Sequence, residues 1–158
     1  MSEITLTVNG RRYPVSVEPR RTLLDALRDE CGLTGTHMGC EHGVCGACTI
    51  IVDGDPVRAC LMFAVQAEGA AIRTVEGLAD GDKLSALQEA FIAHHGVQCG
   101  FCTPGFLMLA TGLLEKEPDI GDDELVDALS SNLCRCTGYR NIVAAVRAAL
   151  GELRGVGK

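Results

Sequence analysis

Hydrophobic and polar positions alternate at the start of the chain. Ile4, Leu6 and Val8 take every second place with Thr5 and Thr7 between them, so residues 4–8 predict a half-buried strand. Asn9-Gly10 has the chemistry of a tight hairpin turn, and Tyr13, Val15 and Val17 repeat the alternation on a return strand. Thr22 predicts the N-cap of a helix carrying Leu23, Leu24 and Leu27 and closing near Gly32. No period runs through the glycine-rich stretch from Gly35 to Gly46. Thr49-Ile50-Ile51-Val52 then predicts a strand, Asp53-Gly54 a turn, Val57 to Cys60 its partner, and Ile72 to Val75 a last short strand.

After Gly77 the period changes from two to about 3.6. Gly77 to Asp82 is the expected linker. Leu84, Leu87 and Phe91 share one face of a helix that should stop at Gly96. Thr103-Pro104 predicts an N-cap followed by proline at the first helical position, opening a helix through about Glu115. Asp122 caps a third expected helix with Leu125, Val126 and Leu129. A fourth follows Thr137-Gly138 with Ile142, Val143, Val146 and Leu150. The pattern predicts an α+β chain: a strand-rich unit over residues 1–77, then over 78–158 a bundle of four helices of about ten residues each.

Composition narrows the chemistry. The 158 residues are 47% hydrophobic but only 4% aromatic, so the core must be aliphatic. A formal charge of −7 argues against a nucleic-acid partner, which demands a basic surface. The longest apolar stretch, Phe106 to Leu114, is short for a membrane span and is interrupted by Thr111 and Gly112. The first residues are neither basic nor apolar enough for a secretion signal. The expectation is a cytoplasmic chain with no membrane span.

Nine cysteines dominate what remains. Their number is odd and no secretion signal accompanies them, so metal binding is the expectation rather than a disulfide framework. Cys40, Cys45 and Cys48 follow the spacing C-x4-C-x2-C, and Cys60 follows after eleven intervening residues, the plant-type [2Fe–2S] spacing. Gly39, Gly43 and Gly46 let the backbone wrap an anionic centre and turn its N–H groups inward. The second set is Cys99 and Cys102, then thirty-one residues, then Cys134 and Cys136. The helix opening at Thr103 would direct its positive end at this set. Four thiolates at these spacings suit either a [2Fe–2S] cluster or structural zinc, and spacing alone leaves both open. Cys31 is left over and reads as a buried structural thiol.

Cys40-Glu41-His42 imitates the start of a Rieske site, but no matching Cys-x2-His follows, so histidine ligation is not expected. His37, His94 and His95 read as solvated or capping residues, and Asp122-Asp123-Glu124 as an acidic helix start. Arg135 and Arg140 could hold an anion or balance thiolate charge. No catalytic triad, phosphate loop or dinucleotide fingerprint is present in the sequence. This pattern assigns the chain to moving electrons and places bond-making chemistry on a partner.

Three motifs carry a resemblance. Gly39-Cys40-x4-Cys45-Gly46-Ala47-Cys48-Thr49, Gln98-Cys99-Gly100-Phe101-Cys102-Thr103-Pro104-Gly105 and Asn132-Leu133-Cys134-Arg135-Cys136-Thr137-Gly138-Tyr139 resemble the small iron–sulfur subunit of molybdenum hydroxylases. That family includes xanthine dehydrogenase, aldehyde oxidoreductase, aerobic carbon monoxide dehydrogenase and N-heterocycle hydroxylases. The resemblance spans about Ile4 to Leu150 and implies a β-grasp ferredoxin-like domain followed by a four-helix bundle. It implies two [2Fe–2S] clusters, the second near molybdopterin on a large subunit and the first towards FAD on a medium subunit. Gln98 and Cys136 would contact the pterin cofactor. Electrons would leave molybdenum, pass the inner cluster, then the outer, and reach FAD in a dimer of heterotrimers acting on an N-heterocycle, an aldehyde or carbon monoxide. Cys60 to Ala67 look similar to the carbon monoxide dehydrogenase branch and its heterocycle-oxidising relatives, and His37 stands where many members carry Lys. A free-standing two-cluster carrier and a double zinc module are the competing readings.

Overall fold

A computed structural model describes residues 1–156, so the last two positions of the expected 78–158 unit lie outside the described residues. Strands β1 (Ser2–Val8) and β2 (Arg11–Val17) form the expected hairpin with Val8 opposite Arg11. Asn9 and Gly10 both take positive φ, 51° and 78°, as a two-residue turn of this hand requires. The same device joins β3 (Thr49–Val52) to β4 (Asp55–Arg58), with Asp53 at 50° and Gly54 at 89°. Between the two hairpins lies β5 (Ala71–Arg73), parallel to β1 and antiparallel to β3, giving the order β2-β1-β5-β3-β4. β4 ends at Arg58, short of the expected Cys60, because Ala59–Leu61 coils into a 3₁₀ turn.

Thr22 caps α1 (Leu23–Asp25) as expected, its hydroxyl accepting from the Asp25 N–H at 3.1 Å. The helix then widens into a π-type turn over Ala26–Glu30, and the Cys31 N–H donates to the Ala26 carbonyl at 3.0 Å. Leu23, Leu24 and Leu27 are buried in one core with Leu6, Val8, Ile50 and Ile72.

Four helices follow: α2 (Ala86–Ala93), α3 (Thr103–Lys116), α4 (Asp122–Leu129) and α5 (Arg140–Val156). Their lengths spread from 8 to 17 residues rather than clustering near ten. Three expected starts move. Leu84 falls outside α2 because Ser85 caps it: the Ser85 hydroxyl accepts from Gln88 N–H, and the Gln88 side chain accepts from Ser85 N–H. Cys102, not Thr103, is the N-cap of α3, and the Thr103 hydroxyl has no partner. Gly121 takes the cap of α4, leaving Asp122 free to bridge Arg147 at 2.5 and 2.6 Å.

The architecture is α+β, as expected, and α3 is the element both halves share. It is buried at every position from Gly105 to Gly112, the signature of a helix enclosed on all sides. One face lies on the sheet, where a Cβ on Gly112 would stand 2.5 Å from Pro56 and 3.4 Å from Ile51. Two turns earlier, a Cβ on Gly105 would stand 2.3 Å from the Gly46 carbonyl oxygen. The opposite face joins Leu87, Phe91, Leu125, Leu129, Ile142 and Val146 in a second core around Phe106. An Arg73–Glu115 fork at 2.7 and 3.0 Å and a Lys116–Asp55 pair line the seam. Exposed pairs of this kind contribute little, so the glycines decide how close the helix comes.

The expected linker is not loose. Val75 and Leu78 pack on the helical core, and Asp80 and Lys83 exchange backbone hydrogen bonds of 2.9 and 3.0 Å. Among the described residues no helix is long and apolar enough to cross a membrane. Gly105→Ala should therefore destabilise the chain by about 1–3 kcal/mol, since neither Gly46 nor the helix can yield cheaply. A lower urea midpoint at unchanged slope is the expected result, and an unchanged midpoint would show that the seam is more pliant than its packing implies.

Candidate functional site

The first cysteine loop lies between α1 and β3. Arg28 anchors it by donating to the carbonyls of Thr34 and Thr36, both at 2.8 Å. Positive φ at Glu41 (58°), Gly43 (84°) and Gly46 (74°) turns its N–H groups towards sulfur. Cys45 N–H donates to Cys40 Sγ at 3.3 Å, and Ala47 N–H to Cys45 Sγ at 3.4 Å. The backbone N–H groups of Cys45 and then His42 pull the Cys40 thiol down to about 6, so it is readily a thiolate. A side chain at Gly39 would sit 2.8 Å from Cys45 Sγ, which is why only glycine fits there. Cys60 closes the set from the 3₁₀ turn after β4. Burial first, and then its neighbour Cys48, push its thiol up to about 11. His42 turns away, its Nδ1 donating to the Cys40 carbonyl at 2.6 Å.

The second set gathers from two places. Cys99 precedes Cys102 at the mouth of α3, and Cys134 and Cys136 lie between α4 and α5. Burial and then Cys134 push Cys102 up to about 12. Burial acts against the Cys134 thiolate too, but the Thr137 hydroxyl, 3.1 Å from its Sγ, and the N–H groups of Thr137 and Cys136 more than offset it. Tyr139 Oη accepts from Cys134 N–H at 3.2 Å and holds the turn. These four cysteines and Cys45 line one cavity of about 490 Å³.

Within each set the strongest thiol–thiol influences join Cys40 to Cys45, Cys48 to Cys60, Cys102 to Cys134 and Cys99 to Cys136. Weaker ones run between these pairs, from Cys40 to Cys60, Cys99 to Cys102 and Cys134 to Cys136. Among the described residues no three His, Cys, Asp or Glu side chains converge as a single ion requires. One zinc ion draws four donors to about 2.3 Å of a point. Two irons, each taking two thiolates, want separated pairs. The donor set also fits an anionic cluster otherwise, because backbone N–H groups face Cys40 and Cys45, and the Thr103 hydroxyl lies buried and unpartnered next to Cys102.

The two loops meet at Cys45 and Gly46. Leu133 N–H donates to the Cys45 carbonyl at 2.8 Å, and the Asn132 amide to the Gly46 carbonyl at 3.2 Å. Thr49 adds its N–H at 3.1 Å and its hydroxyl at 2.7 Å to the same Gly46 oxygen. Arg58 spans the seam from Thr49 Oγ1 to the Ser131 carbonyl.

Comparison with known proteins gives this geometry its context. Residues 6–79 match a family described as a 2Fe-2S iron-sulfur cluster binding domain, and residues 74–147 a [2Fe-2S] binding domain. The chain is 60% identical over 151 residues to the nicotine 6-hydroxylase small subunit of Paenarthrobacter nicotinovorans, covering 96% of this chain and 91% of that one. It is 58% identical to caffeine dehydrogenase subunit gamma of Pseudomonas sp. strain CBB1, over 91% and 88% of the two chains. Its fold superposes on quinoline 2-oxidoreductase from Pseudomonas putida 86 with a TM-score of 0.91 at 52% identity, covering 98% and 96%. The chain belongs to the small iron–sulfur subunits of the molybdenum hydroxylases.

In this small subunit the two sets differ in exposure. Cys48 and Cys60 are buried, whereas Cys99 and Cys136 are exposed beside the exposed Gln98. Cys31 belongs to neither set. It is half-buried against the sheet core rather than fully enclosed, and burial with Glu30 raises its thiol to about 11. Sequence reasoning gave no role to Asn132, Thr137, Tyr139 or Arg58. Only the first three had a signal, as neighbours of Cys134 and Cys136. A Cβ on Gly46 would stand 2.0 Å from Asn132 Oδ1, so the two positions should be strongly coupled. Gly46→Ala should cost less in an Asn132→Ala background than alone, with an interaction energy of about 0.5–3 kcal/mol in a denaturation cycle. Strict additivity would mean that the two loops do not bear on each other.

Proposed function

We propose that Cys40, Cys45, Cys48 and Cys60 hold one [2Fe–2S] cluster and that Cys99, Cys102, Cys134 and Cys136 hold a second. The observation that carries this reading is that Cys99, Cys102, Cys134 and Cys136 line one cavity, while backbone N–H groups point at Cys40 and Cys45 Sγ in the first set. Backbone donors aimed at sulfur and the two matched 2Fe-2S domains count against a double zinc module. The division falls near residue 77, with a β-grasp ferredoxin-like unit over 1–77 and the four helices of 78–158 read as a bundle.

When bound, the clusters supply one-electron carriers between molybdopterin on a large subunit and FAD on a medium subunit. The chain's own residues hold them, direct backbone donors at their sulfurs and fix the two loops at the Cys45–Leu133 contact. Exposed Gln98 and Cys136 form the face proposed for the pterin side. Exposed Val44, Leu61 and Phe63, beside the first loop, form the face proposed for the flavin side. These unequal faces favour an assembled subunit, within a dimer of heterotrimers, over a free carrier. The cytoplasm, where thiols stay reduced, is the compartment proposed.

Nicotine, caffeine and quinoline, after which these relatives are named, are all N-heterocycles, and an N-heterocycle is the substrate class we assign to the whole complex. Aldehydes and carbon monoxide rank behind it.

The purified complex should contain iron and acid-labile sulfide in equal amounts and show two distinct [2Fe–2S] signals. A colourless chain carrying zinc and no sulfide would sink the reading. Cys102→Ser should remove or alter one signal only and slow substrate-driven flavin reduction by more than about 10-fold. Undiminished flavin reduction in that variant would count against the proposed relay.

A further inference from the structure

His37 precedes Cys40 by three residues, yet it reaches into the second cysteine set. Its ring stacks on Phe101 with centroids 4.7 Å apart and an interplanar angle of 24°, and its Nδ1 lies 2.7 Å from the Phe101 carbonyl oxygen. A carbonyl oxygen only accepts, so Nδ1 carries the proton and donates it. Phe101 lies between Cys99 and Cys102, and its C=O shares one conjugated peptide unit with the Cys102 N–H.

We propose that His37 is a positioning residue for the second cluster: by donating to the Phe101 carbonyl it strengthens the Cys102 N–H as a donor to sulfur and raises that cluster's reduction potential. The proposal rests on the reading that Cys99, Cys102, Cys134 and Cys136 hold a [2Fe–2S] cluster. A donor placed on the carbonyl end of an amide makes its N–H more acidic, and each bond in such a chain strengthens the next by about 10–30%. Stronger donors at sulfur stabilise the reduced, more negative state of a cluster. His37 supplies no N–H to the first set, where the donors at Cys40 are the backbone groups of Cys45, His42 and Val44. A residue in the first cluster's domain thus tunes the second cluster and leaves its own unaltered.

The test is a redox titration of the purified complex followed by electron paramagnetic resonance, the second cluster's signal being the one that Cys102→Ser alters. His37→Phe keeps an aromatic stack on Phe101 and removes only the donor. It should shift the second cluster's reduction equilibrium two- to fivefold towards the oxidised form, about 20–40 mV downwards at 59 mV per tenfold change. His37→Asn, whose amide nitrogen can occupy the place of Nδ1, should restore most of the shift, with the first cluster constant throughout. Should the Phe variant fail to assemble, His37→Ala against His37→Asn reads the same difference. An unmoved second cluster in the donor-free variants, or equal displacement of both clusters, would overturn the proposal. An unsubstituted complex without a second [2Fe–2S] signal would remove the underlying reading instead.

Discussion

The Gly46 carbonyl oxygen accepts the N–H and hydroxyl of Thr49 and the amide of Asn132, and the first turn of α3 presses on it through Gly105. Residues distant in sequence meet there because each has given up a side chain or committed one. Gly46 needs a positive φ, Gly105 needs to lack a Cβ, and Asn132 must be buried with its amide turned inward. Burying a polar side chain is costly, and the bond from the Asn132 amide nitrogen to Gly46 offsets part of that cost while its Oδ1 stays buried and unpaired. One residue earlier the Cys45 carbonyl takes Leu133 N–H, so cysteine loops from the two halves are stitched by their backbones. The position of the second set relative to the first follows from this seam.

The same constraint explains the electrostatics. Buried thiols resist ionisation, and burial acts that way at Cys60 and Cys102. Donors then act selectively: the backbone at Cys40, and Thr137 at Cys134. Each set therefore places a thiol whose ionisation its donors favour beside thiols whose ionisation burial opposes. The glycines turn the chain so that peptide dipoles, rather than lysines, face the sulfur. A net charge of −7 can then coexist with anionic centres, because stabilisation comes from oriented dipoles at contact distance and not from the distant field.

Much of this was legible in order along the chain. Asn9-Gly10 and Asp53-Gly54 encode their turns locally, and positive φ at all four residues follows from that chemistry. The cysteine spacings bring out the two sets because loop ligands are close in sequence. What escaped reading depends on partners far away. Thr103 looks like a cap but yields to Cys102, because its hydroxyl is enclosed by tertiary packing. Asp122 looks like a cap but is drawn off by Arg147, 25 residues on. The Phe106–Leu114 run was read for membrane length, whereas its apolarity reflects a helix enclosed between a sheet and three other helices. His37 reads as a solvated histidine because nothing within its own segment predicts Phe101.

That last contact shows what a shared seam does to function. With α3 enclosed between two cores and the linker docked through Val75 and Leu78, the halves have no loose joint at which to hinge. Close-packed interiors transmit strain and do not deform continuously. A residue on one side can then act on a peptide bond of the other at a fixed 2.7 Å, a distance that a mobile joint would average away. For a chain that moves electrons, rigidity of this kind sets the path length once, at folding. Tuning is left to single hydrogen bonds, and the one from His37 reaches a peptide adjoining a cysteine of the other half.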